Sequence, residues 1–133
     1  MEKKKKIYSV VIESGLHPIP AEHELKAAYI IAEHFKSDLV FLRRGINTSP
    51  DFLVKRTNQI WELKSPKGNG KRTIANNLRN ASHQSSRVIL DLSRCKMNNR
   101  NAISRINGFL ASADSTIKEL VVIDKNSSVL TFL

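Results

Sequence analysis

The sequence holds a single cysteine, Cys95, among 133 residues. One thiol cannot build a disulfide framework or a cysteine-based zinc site, and its isolation fits a reducing, cytosolic setting. Glycine and proline are sparse, at five and four residues, which excludes collagen-like and low-complexity chains. No apolar run approaches the ~20 residues that a bilayer span requires. Lysines occupy positions 3–6, but the apolar segment behind them stops at Ile12 and meets Glu13. That segment is too short for a signal peptide and lacks a small-residue cleavage site. Aromatic residues make up 6% of the chain, and no long basic amphipathic helix carries bulky rings, so no membrane partner is expected. Acid is also scarce: 12 Asp+Glu face 22 Lys+Arg, a net charge of +10.

That surplus is local. Residues 66–107 contain nine basic side chains and one acid, Asp91, for a net +8. A field of this kind favours polyanions, and nucleic acid is the expected partner. With 41% hydrophobic and 26% charged residues, the chain has the composition of a globular protein. Its length suits one domain, spanning 1–133, with residues 1–6 read as a disordered basic tail.

The patterning alternates strand and helix. An apolar strand is expected over residues 7–12, then a Gly/Pro-bounded loop over 15–20. Leu25, Ala28, Ala32 and Phe35 recur at helical spacing within 21–35. Residues 39–42 read as a strand and 45–50 as a loop. Two extended runs, 51–54 and 59–63, flank Arg56-Thr57-Asn58 and predict a hairpin. A polar loop over 65–72 leads to Thr73, a candidate helix N-cap, with Ile74, Leu78 and Ala81 on one stripe. A strand over 88–92 and a helix over 101–113 follow, the latter expected to bury Ile103, Ile106 and Leu110. Runs at 120–123 and 129–132 around Lys125-Asn126-Ser127 close the chain. The fold class is α/β, a mixed central sheet flanked by helices.

Chemistry concentrates in Pro50-Asp51 and Glu62-Leu63-Lys64. Strand side chains alternate, so Glu62 and Lys64 share one face while Trp61 and Leu63 take the other. The hairpin brings Asp51 beside the end of its partner strand, so two carboxylates and an ammonium converge. Carboxylate oxygens suit Mg²⁺ or Mn²⁺, ions that polarise a phosphoryl oxygen and acidify water. Lysine can orient that water and offset transition-state charge, with general-base action as its second role. The plain alternative is a solvated Glu–Lys ion pair on a strand. Trp61 and Phe52 alternate away from the acids and read as core. Among His17, His23, His34 and His83 no His-x-x-x-His pair or Cys/His cluster occurs, which argues against zinc. His83 could serve as a general acid, though a plain polar-face histidine is the stronger reading.

The Pro50-Asp51 … Glu62-Leu63-Lys64 pattern resembles the PD-(D/E)XK nuclease signature. More narrowly, Trp61-Glu62-Leu63-Lys64-Ser65-Pro66, the glycine loop at 68–70, Thr73-Ile74, Ala81-Ser82-His83-Gln84 and Val88-Ile89-Leu90-Asp91-Leu92 resemble the C-terminal tRNA nuclease domains of contact-dependent growth-inhibition (CdiA) toxins. The similarity runs over about residues 24–123. The resemblance implies a restriction-endonuclease-like core, with Asp51 and Glu62 as metal ligands and Lys64 positioning the attacking water. It also implies an acidic residue on the first helix reaching the same site. Glu22 and Glu24 are the candidates, and Glu24 borders the buried stripe while Glu22 points to solvent. Ser65, Lys67, Lys71, Arg72, Thr73 and Gln84 become the expected substrate-binding set.

Three functions follow from this reading. The first is a metal-dependent endonuclease cutting RNA, with tRNA preferred on the resemblance alone. The second keeps the site but takes DNA, and the third is a catalytically idle nucleic-acid binder. Expected partners are nucleic acid, a cognate immunity protein and a second copy of the chain. With Met1 at its start and no delivery module, the chain reads as an intracellular relative of the toxins or an excised domain.

Overall fold

A computed structural model describes residues 7–13, 15, 19–42, 50–112 and 115–133. The basic tail over 1–6, His17, and most of the loop expected over 45–50 lie outside the described residues.

The elements run β1 (Val10–Ile12), α1 (Glu22–Phe35), β2 (Leu39–Leu42), β3 (Asp51–Val54), β4 (Gln59–Lys64), α2 (Thr73–Ser82), β5 (Arg87–Asp91), α3 (Asn99–Leu110), β6 (Glu119–Ile123) and β7 (Val129–Thr131). The seven strands of the described residues form one sheet in sequence order. Strands β2, β3, β4 pair antiparallel, as do β6 and β7, while β1/β2, β4/β5 and β5/β6 are parallel. Each of the three parallel pairs is joined by a helical crossover, which parallel neighbours require. The mixed sheet flanked by helices is therefore as expected.

Period-two alternation divides the core. Phe41, Phe52, Trp61, Leu63, Ile89 and Val121 face α1, which buries Ala27, Ala28, Ile31 and Ala32 against them. Val88, Leu90, Leu120 and Val122 face α2 and α3 on the opposite side. Phe52 and Trp61 are core residues, and the Trp61 ring lies 5.0 Å from that of Phe35. No helix among the described residues is long and apolar enough to cross a membrane.

Four local expectations need correction. The first strand starts three residues late, because Ser9 N–H bonds the Asp38 carboxylate at 2.8 Å instead of a ladder partner. Thr73 is the first residue of α2, and Arg72 holds the N-cap position with no side-chain cap bond. The turn before it is closed by Thr73 N–H donating to Gly70 O at 3.1 Å, which draws Thr73 into the helix. The third helix starts earlier and ends sooner than expected, because Asn98 caps it by accepting from Asn101 N–H at 2.8 Å. Its buried stripe is Ala102, Ile106 and Phe109, with Ile103 and Leu110 half-buried at the margins. Phe109 outweighs Leu110 for the inner face because the larger ring removes more apolar area from water.

Candidate metal and nucleic-acid site

The β3–β4 hairpin sets Asp51 directly opposite Glu62 in register. Cross-strand partners share a face, so both carboxylates project from the side of the sheet that carries α2 and α3. Both are buried, at 6% and 2% exposure. Glu62 in turn pairs with Val88, and Lys64 with Leu90, which places them among the residues of that apolar core. Burying a carboxylate in such surroundings is costly unless charge or hydrogen bonds compensate. Two partners are in place. Lys64 Nζ lies 3.8 Å from Glu62 Oε1. Gln84, on the segment after α2, donates its amide to Glu62 Oε1 at 2.8 Å and Oε2 at 3.0 Å. The amide orientation follows from the hydrogen bonding, since the reverse sets oxygen against oxygen.

Glu24 occupies the first turn of α1 and is half-buried, while Glu22 is exposed. Ala21 at the N-cap has no side-chain oxygen to offer. Glu24 Oε1 therefore reaches back and accepts from Ala21 N–H at 2.9 Å, the glutamate half of a capping box. Among the described residues, no three carboxylate, imidazole or thiol side chains gather into a metal-holding group. The structure thus brings Asp51, Glu62, Lys64 and Gln84 together and leaves Glu24 on the cap of α1.

Two carboxylates on one face still fit Mg²⁺, which commonly takes one or two carboxylates and keeps several waters. The oxygen-only donor set fits Mg²⁺ or Mn²⁺ better than a soft metal.

The connection from β4 to α2 carries the remaining substrate-facing candidates. Lys67, Lys71 and Arg72 are exposed on it, and Thr73 is half-buried at its end. Ser65 Oγ and Arg94 Nε are buried without a hydrogen-bond partner, while Arg94 Nη2 donates to Ser65 O at 3.3 Å. His23, near Arg94, Glu24, Asp91 and Lys67, has its pKa lowered by burial first and by the Arg94 charge second. His83 is exposed at the C-terminal end of α2 beside Gln84. Arg94 lies outside the substrate-binding set expected from the sequence. Its place after β5 in the basic stretch is the signal that points to it.

Residues 48–129, more than half of the chain, match the family described as contact-dependent growth inhibition CdiA C-terminal domain. None of the curated proteins matches the chain. In fold it is similar to the CdiA-CT/CdiI toxin and immunity complex from Burkholderia pseudomallei, with a TM-score of 0.57 and 17% identity. That similarity covers 93% of this chain and 98% of the other.

Proposed function

The chain belongs to the contact-dependent growth inhibition CdiA C-terminal domain family, and on that premise we propose that it is a toxin-like, metal-dependent endonuclease of the PD-(D/E)XK type. Its substrate is RNA, with tRNA preferred. The observation that carries the reading is the in-register Asp51–Glu62 pair, buried on one face with Lys64 3.8 Å from Glu62. Two carboxylates facing one another on one side of the sheet offer the hard oxygen ligands that a divalent cation takes.

Asp51 and Glu62 would hold Mg²⁺ or Mn²⁺, with Glu24 as a third carboxylate that shares or gives up its bond to Ala21 N–H. Such an ion, when bound, polarises the phosphoryl oxygen and makes water nucleophilic at neutral pH. Lys64 orients the attacking water and offsets negative charge on the phosphoryl oxygens through its ammonium. Gln84 fixes the Glu62 carboxylate by donating to both oxygens, as outer partners of metal-binding carboxylates do. Ser65, Lys67, Lys71, Arg72 and Thr73 line the path along which the phosphodiester backbone enters. An immunity protein is the proposed protein partner, by analogy with the CdiA-CT/CdiI complex.

Purified protein incubated with total tRNA and with plasmid DNA, in Mg²⁺, Mn²⁺ or EDTA, tests this reading. Cleavage of tRNA in either metal, abolished by EDTA, is the expected result. Cleavage that persists in EDTA, or none of either substrate, overturns it, and cleavage of DNA alone moves the substrate.

A further inference from the structure

Beyond β4 the chain forms a second feature, which shares Lys71 with the substrate path proposed above. The loop connecting β4 to α2 and the start of α3 enclose a polar groove of about 540 Å³. Asn69, Lys71, Lys96, Asn98, Asn101 and Arg105 line it. Three of these are cationic, and no acidic side chain lines the groove among the described residues. The lining side chains, apart from a buried Met97, are exposed.

The walls are tied together. Lys96 N–H donates to Lys67 O at 3.2 Å, and Cys95 Sγ–H donates to Gly68 O at 3.2 Å. From the far side, Lys125 Nζ donates to Cys95 O at 2.7 Å, and Lys125 N–H donates to Asn99 Oδ1 at 3.0 Å. The loop, the segment before α3 and the β6–β7 turn are thus linked into one frame. A groove held this way does not need to be ordered by its ligand, which lowers the cost of binding.

We propose that this groove binds backbone phosphate of the RNA strand, at a position flanking the one that is cut. The chemistry fits: ammonium and guanidinium groups neutralise phosphate, and asparagine amides donate to phosphate and ribose oxygens. The sequence order fits as well, because Lys64 leads through Ser65 and Lys67 to Asn69 and Lys71 on one continuous connection. The inference rests on the nuclease reading for its choice of RNA, but its test does not depend on turnover.

The test measures tRNA binding in EDTA across 50–200 mM salt. It compares wild type with a groove pair, Lys96→Ala/Arg105→Ala, and a control pair, Lys55→Ala/Lys118→Ala. Lys55 and Lys118 are exposed and adjoin the ends of β3 and β6 at the opposite end of the sheet from Lys64. All four positions are on the surface, and melting temperatures check the fold. The groove pair should raise Kd by about tenfold or more and flatten the log–log salt slope by about 1.4–1.8, the loss of two phosphate contacts. The control pair should move Kd by less than about twofold, with little change of slope. Equal effects of the two pairs, or no effect of the groove pair, would overturn the proposal. Binding that depends on the groove in a protein that cuts nothing sinks the nuclease reading and leaves the groove. Cleavage of RNA with groove-independent binding does the reverse.

Discussion

Gln84 donates its side-chain amide to both oxygens of the buried Glu62 carboxylate, at 2.8 and 3.0 Å. The two residues belong to different parts of the β4–α2–β5 crossover, and α2 carries the glutamine back to the acid. Glutamine suits this place because it hydrogen-bonds the carboxylate without adding charge.

Replacing that amide separates the two roles. Gln84→Glu sets a second carboxylate against Glu62, and like charges at this distance destabilise each other. The melting temperature in EDTA should fall by about 2–5 °C, the shift for roughly 1 kcal/mol in a domain of this size. Mn²⁺ should restore it. Gln84→Ala should leave the fold intact and slow tRNA cleavage by about tenfold, as loss of an outer partner of a metal ligand does.

Glu24 caps α1 by accepting from Ala21 N–H and is proposed as the third carboxylate of the metal site; two substitutions resolve its part. Glu24→Gln keeps an oxygen for Ala21 N–H, so the melting temperature should hold. Cleavage should nonetheless drop by about tenfold or more if the carboxylate serves the metal. Glu24→Ala should lose both activity and about 0.5–1 kcal/mol of stability. Full cleavage by Glu24→Gln would assign the residue to the cap alone.

His34 gives the fold a pH dependence independent of catalysis. Burial lowers its pKa below the ordinary 6.5, so the unfolded chain takes up the proton first as pH falls. The stability it contributes is complete above about pH 6.5 and declines as pH drops toward the folded-state value. Melting temperature should therefore fall between pH 7.5 and 5.5, and fall less in His34→Gln. Parallel curves for the two proteins would contradict this.

Much of the scaffold was legible because it follows local rules. Asp51 and Glu62 face one another because a hairpin turn at Arg56-Thr57-Asn58 fixes their register, and Asn58 takes the left-handed conformation the turn requires. Alternation alone places Trp61 in the core. The α3 stripe was harder: Ile103 and Leu110 lie one position off the inner face, and both phases of the helix offered apolar residues. Contacts between distant segments were not legible. Glu62 meets Gln84 through the length and tilt of α2, and the loop over 66–72 meets Lys96 through hydrogen bonds between main chains that side-chain identity does not encode. The cap position of Arg72 likewise depends on how the preceding loop closes onto Thr73.

The central claim, that Glu62 serves a cation at a phosphodiester-cleaving site, is tested most directly by Glu62→Gln. The amide keeps the size of the side chain and removes its charge. Cleavage of tRNA in Mg²⁺ should fall by about a hundredfold or more, equivalent to roughly 3 kcal/mol of transition-state stabilisation. Affinity for tRNA should stay near wild type, while the melting temperature drops, because one oxygen that accepted from Gln84 becomes a donor and Lys64 loses its charged partner. Undiminished cleavage by a folded Glu62→Gln protein would contradict the account.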